Sequence, residues 1–90
     1  MTEPLVSFVV IGLDEAAHLA AAIASVRAQE PGQGASEIVY VDSGSRDGSP
    51  EIACEAGVDA VLAIDRAGAS AARARNTGLA RARGRFVQFV

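Results

Sequence analysis

The sequence predicts an α/β fold, a doubly wound parallel sheet, on three observations. Short apolar runs rich in β-branched residues alternate with stretches of helical period along the whole chain. Glycine, proline, serine and aspartate stand at the junctions between them. The first apolar run is continuous rather than alternating, the pattern of a strand covered on both faces. Strands that alternate with helices are joined by right-handed crossovers, which lay the strands parallel and place helices on both sides of the sheet.

Each element follows from local chemistry. Leu5 to Ile11, closed by Gly12, is the first strand. Asp14 offers an N-cap, and Leu19, Ile23 and Val26 follow at helical spacing. Pro31-Gly32 cannot continue that helix, so it ends near Gln29. Glu37 to Val41 is the second strand, broken by Asp42-Ser43-Gly44-Ser45. Ser49 with Pro50 after it starts a second helix, and Gly57 stops it. Ala60 to Ile64 is the third strand. An alanine- and arginine-rich helix runs from about Ser70 to Arg83, and Arg85 to Val90 is a fourth strand. The order is β-α-β-α-β-α-β. In such sheets ligands bind beyond the carboxyl ends of the strands, which singles out Gly12 to Glu15 and Asp42 to Gly48.

Composition narrows the function classes. Ninety residues, half of them apolar, make at most one modest domain. No apolar stretch approaches the roughly 18 residues of a membrane span. The opening Met1-Thr2-Glu3-Pro4 lacks the basic start of a secretory signal, so a cytoplasmic protein is expected. Cys54 is alone, which leaves no disulfide framework or cysteine metal site, and by default it is a small buried hydrophobe. All 11 acids lie at or before Asp65 beside Arg27 and Arg46, whereas six arginines and no acid follow. That asymmetry fits either an anion site or two halves that neutralise each other on folding. With four Phe and Tyr residues and no basic–aromatic interleaving, no nucleic-acid partner is expected.

Two phosphate signatures are absent. No G-x-G-x-x-G follows the first strand, and a chain without lysine has no P-loop. A nucleotidyltransferase would want a glycine- and lysine-rich loop where Gly12-Leu13-Asp14-Glu15 stands. What the chain has is Val41-Asp42-Ser43-Gly44-Ser45-Arg46-Asp47-Gly48-Ser49. A carboxylate at a strand tip can accept from a nucleobase imide or a ribose hydroxyl, and small residues after it let a ligand approach the backbone. This stretch resembles the V-D-D/S-G-S-x-D-G-T signature of family-2 glycosyltransferases with the GT-A fold. Asp14-Glu15 resembles the end of that family's P-T-Y-N-E segment, although Ile11-Gly12-Leu13-Asp14 replaces Pro-Thr-Tyr-Asn. Ala74-Arg75-Asn76-Thr77-Gly78, with Gly84 to Val90, is similar to its A-R-N-x-G run and the strand beyond. The three motifs occur in order and span nearly the whole chain.

The resemblance implies a Rossmann-like sheet of strand order 3-2-1-4, with residues 1–90 a single partial domain, the nucleotide-binding half of a truncated GT-A domain. It implies that Asp42 receives the base or ribose of a nucleoside diphosphate sugar, with Ser43 and Gly44 beside it. Ile11, Gly12, Leu13 and Glu15 would line the other side, and Arg73 or Arg75 would approach the diphosphate. Those arginines lie about 200° apart on a helix, so they cannot share one target. The Mg²⁺ or Mn²⁺ site expected of a full-length parent, a D-x-D motif, would fall past Val90, and the catalytic base further still. No catalytic residue and no metal ligand is therefore assigned here.

Plainer readings stand beside these. Asp42 is either a ligand contact or a turn former bonded to its own backbone, and the motif favours the first. Asp47 stabilises the loop or a helix start, Glu15 suits a first helical turn, and His18 is ordinary surface. Asn76 makes a bracing hydrogen bond, Gly78 permits close helix–sheet contact, and Arg81, Arg83 and Arg85 form a solvated face. Two function classes follow. One is the donor half of an inverting glycosyltransferase, inactive alone. The other is a non-catalytic remnant that binds nucleotide weakly or only self-associates. The chain stops inside an apolar strand, which suggests a piece of something longer and a homo-oligomer formed through Phe86 to Val90.

Overall fold

A computed structural model describes residues 4–29 and 35–90 of the chain. The continuous apolar run at its start becomes a central strand, β1 (Val6–Gly12). It pairs in parallel on one side with β2 (Ser36–Asp42) and on the other with β4 (Phe86–Phe89), while β3 (Ala60–Ala63) pairs with β2. The strand order is β3-β2-β1-β4, all parallel, as expected of an α/β doubly wound sheet.

Alternation along the strands divides the core in two. Phe8, Val10, Ile38 and Tyr40 face one side, where Leu19, Ile23 and Val26 of α1 (Ala16–Ala28) and Ala53 of α2 (Ser49–Glu55) complete a buried cluster. Val9, Val39 and Val41 face the other, against Ala74 of α3 (Ala71–Arg81). Each fully buried Ile or Val contributes about 1.5–3 kcal/mol. The α3 helix offers little apolar surface and packs by proximity instead. A Cβ at Gly78 would run into Val9 and Val41, so only glycine lets the helix lie this close to the sheet. The Ser70 hydroxyl caps α3 by accepting from Arg73 N at 3.0 Å.

At the amino end of the sheet the α3 face carries a polar cluster. Glu37 and Ser7 are register partners, and both are buried. The Ser7 hydroxyl donates to Glu37 Oε2 at 2.5 Å and accepts from Gly84 N at 2.7 Å. Arg83 N also donates to Glu37 Oε2, at 2.6 Å. The segment leading into β4 is thus pinned to β1 and β2 by donors remote in sequence. Burial pushes the Glu37 carboxyl up, but the Ser7 and Arg83 hydrogen bonds and the charges of Arg83 and Arg81 outweigh it and hold the group below its ordinary value. Arg83 Nε and Arg81 Nη1 stand 3.7 and 3.9 Å from Glu37 Oε1, so these arginines keep the solvent contact expected of them while lending positive charge to a buried acid, whose Oε1 accepts no hydrogen bond among the described residues.

Other expectations are corrected locally. Asp14 is not the N-cap of α1: Glu15 holds that position without a side-chain cap bond, and Ala16 N donates instead to Asp47 Oδ2 of the β2–α2 connection at 2.9 Å. Ser49 is the first residue of α2, with Gly48 at the cap, and its N–H and hydroxyl both donate to Asp47 Oδ1. Cys54 is exposed, about 100° round α2 from the buried Ala53. Asn76 is exposed on α3, and its side chain makes no hydrogen bond among the described residues, so it braces nothing there. The Pro31-Gly32 stop lies outside the described residues, though α1 does end at Ala28. Among the described residues no helix is long and apolar enough to cross a membrane.

Candidate functional site

Strand order reverses between β1 and β4, where α1 leaves β1 toward one face and α3 returns to β4 over the other. Such a reversal opens a crevice at the carboxyl ends of the strands. A cleft of about 440 Å³ lies there. Val10, Ile11, Gly12 and Leu13 form its floor and lip, and Glu15, His18, Leu19 and Ala22 of α1 and its approach form one wall. Ser43, the amino end of α3 (Ala69, Ser70, Ala71) and Val90 complete it. The cleft is mainly apolar with a few polar groups at its rim, the usual make-up of a small-molecule site.

Five of the residues singled out from sequence are brought together here: Ile11, Gly12, Leu13, Glu15 and Ser43. Four others are not on the cleft wall: Asp42, Gly44, Arg73 and Arg75. Arg73 is exposed in the first turn of α3 with a long 3.5 Å bond to Gly68 O, and Arg75 is exposed without a partner among the described residues. His18 and Ser70 were not foreseen as lining groups. His18 follows Glu15 by one helical turn, the only signal that would have placed it on the same wall.

Asp42 organises the lip. It is 2% exposed. Its Oδ1 accepts from the Tyr40 hydroxyl and the Ser45 hydroxyl, both at 2.6 Å, and its Oδ2 accepts from Gly44 N at 3.0 Å and Ser45 N at 2.7 Å. Burial pushes this carboxyl up, but the Ser45 and Tyr40 hydroxyls and the two backbone N–H groups overcome that and hold it low. The Tyr40 hydroxyl is pushed far up by burial and by its bond to the Asp42 carboxylate, so it stays a donor. The turn is therefore rigid, and it leaves Ser43 facing the cleft.

The connections after β1, β2 and β3 are tied to one another. Asp14 N donates to Ser45 Oγ at 2.8 Å, and Asp14 Oδ1 accepts from Arg46 N at 2.9 Å. Asp47 joins α1 to α2, and its hydrogen bonds from Ser49 and Ala16 hold its carboxyl below the ordinary value. Arg66, beyond β3, reaches both Gly44 O and Asp14. Among the described residues no three of His, Cys, Asp and Glu converge as metal ligands, so the residues present do not fit a divalent-cation site.

Comparison with known proteins bears on this cleft. No curated protein sequence matches the chain. Among solved structures it is similar to glucosyl-3-phosphoglycerate synthase from Mycobacterium tuberculosis, crystallised in complex with Mn²⁺, uridine diphosphate and glucosyl-3-phosphoglycerate. The TM-score is 0.79 at 26% identity, over 97% of this chain and 33% of that one. The chain thus spans about a third of the length of that neighbour. The family model described as glycosyl transferase family 2 matches residues 7–90, which takes in the whole sheet except Val6 at the start of β1, and the whole of the cleft's β1–α1 side. The chain belongs to glycosyl transferase family 2.

Proposed function

We propose that this chain is the donor-nucleotide half of an inverting glycosyltransferase, which moves a sugar from a nucleoside diphosphate to an acceptor hydroxyl. The observation that carries the proposal is the cleft at the β1/β4 reversal, of a size for a nucleoside and lined by family-matched residues. Ile11, Gly12, Leu13 and Leu19 offer an apolar bed for the base, and the Glu15 carboxylate and the Ser43 and Ser70 hydroxyls can meet ribose hydroxyls. The amino end of α3 presents N–H groups and the positive end of the helix dipole to a diphosphate, with Arg73 in the same turn. Asp42 can accept a ligand N–H only by releasing one of its four donors, and the rotatable Ser45 hydroxyl is the one free to leave. The Mg²⁺ or Mn²⁺ of such a transferase would neutralise the departing diphosphate. No such ligand cluster forms among the described residues, so the ion takes its ligands from elsewhere, and the described residues transfer no sugar by themselves.

Calorimetric titration with UDP and GDP tests this reading. The wild-type chain binds at least one of them, and Asp42→Ala weakens it by about 1–3 kcal/mol. Absence of binding by the wild type overturns the proposal. Sugar transfer above background by the chain with Mn²⁺ would put the site elsewhere.

A second proposal rests on β4. Its outer backbone edge pairs with nothing among the described residues, and Phe86, Phe89 and Val90 are 61%, 44% and 50% exposed. An apolar open edge invites a second copy, so the 90-residue chain self-associates through residues 86–90. Sedimentation at micromolar concentration shows a dimer or larger species, and a stable monomer excludes it.

A further inference from the structure

We propose that Arg66 is the positioning residue of the cleft: it ties the connection after β3 to those after β1 and β2, and so fixes the Leu13–Glu15 wall against Ser43. Its Nη1 lies 3.2 Å from Gly44 O and 3.0 Å from Asp14 Oδ2. The Arg66 backbone also packs on Gly44, where a Cβ would stand 2.6 Å from Arg66 Cβ and 2.9 Å from Arg66 N. Gly44, at φ 93°, is open to that approach because it has no side chain.

The Asp14 end of the contact is strained. Asp14 has φ 52°, and it is the non-glycine residue with positive φ among those described. Such a conformation persists where its surroundings over-determine it. Here three contacts do so: Asp14 N to Ser45 Oγ, Arg46 N to Asp14 Oδ1, and the Arg66 ion pair. Asp14 sits between Leu13 and Glu15, both lining the cleft, so its backbone angles set where those two side chains stand. Arg66 itself lines no part of the cleft and acts through Asp14 and Gly44. The pair is partly exposed, with the two side chains 42% and 36% accessible, so its hold weakens in salt.

The inference concerns the loops of the free chain, and only its consequence for affinity rests on the nucleotide reading. The test combines amide hydrogen exchange of the ligand-free chain with UDP calorimetry on wild type, Arg66→Ala, Arg66→Lys and Asp14→Asn. Arg66→Ala is expected to speed exchange at Arg46 N and Asp14 N and to raise the UDP Kd about threefold to tenfold, with Tm nearly unchanged. Arg66→Lys recovers part of both, about 0.5 M salt narrows the gap between wild type and Arg66→Ala, and in an Asp14→Asn background Arg66→Ala changes little. Unchanged exchange at Arg46 and Asp14 in Arg66→Ala overturns the proposal, whether or not UDP binds. Changed exchange with unchanged UDP affinity overturns its consequence for the cleft. If the wild type binds no UDP, the nucleotide reading falls and the exchange result alone decides the clamp.

Discussion

Strand β2 carries a buried carboxylate near each end, and the two are held in different ways. Both Glu37 and Asp42 are 2% exposed, and both are kept ionised by donated hydrogen bonds. Asp42 takes all its donors from within three residues, so it shapes one turn. Glu37 and its bridging Ser7 draw donors from 30 to 77 residues away, so they join β1, β2 and the segment before β4. Five residues apart, they also point to opposite faces of the sheet, Glu37 toward α3 and Asp42 toward α1 and α2. The amino end of the sheet is thus closed by a long-range lock, while the carboxyl end is stiffened locally and left open as a cleft. One strand serves the fold at its start and the site at its tip.

The largest effect expected from this contrast is on stability at Glu37. Glu37→Ala leaves the Arg83 N–H and the Ser7 hydroxyl without their acceptor and should lower the unfolding free energy by about 3 kcal/mol. Urea denaturation measures it, and a loss under about 1 kcal/mol would mean that the cluster is not a lock. Asp42→Ala should lower it less, by about 2 kcal/mol, because only the Tyr40 hydroxyl among its donors is deeply buried. Equal losses at the two sites would break the comparison.

Acid separates wild type from Glu37→Gln more gently. A carboxyl whose pKa is lowered by folding contributes stability that is present above its unfolded value and lost as pH falls through the folded one. The margin of wild type over Glu37→Gln should therefore shrink as pH falls through and below the ordinary glutamate range. A constant margin over that range would contradict the assignment of Glu37 as ionised in the fold. The smallest effect belongs to a residue in neither cluster. Cys54→Ser, at an exposed position, should leave stability within about 0.5 kcal/mol.

Patterns with a period were legible in the sequence. The parallel sheet, the two-sided β1 and the Leu19, Ile23, Val26 stripe followed from apolar spacing, and Gly12 and Leu13 at the lip followed from where β1 had to end, whereas the strand order and Ile11 came from the family resemblance. Pairings across the fold were not legible. Nothing local tells that Asp47 rather than Asp14 receives the first N–H of α1, since the choice depends on two connections meeting at the sheet edge. That Arg81 and Arg83, solvated as expected, also stand beside a buried acid was not legible, because Glu37 lies more than forty residues earlier, on a strand whose face becomes known only with the register. Asp42 was marked by its motif, but a motif does not count donors, and the structure shows four of them on its carboxylate.

The central claim is that the crevice between β1 and β4 receives a nucleoside diphosphate. Titration of the isotopically labelled chain with UDP, followed by amide chemical shifts, tests it most directly. The account predicts that the shifts concentrate at Ile11 to Glu15, Ser43 and Ala69 to Ala71, with Glu37 and Gly84 at the closed end unmoved. Shifts that cluster around Glu37, or none at all at millimolar UDP, would contradict it.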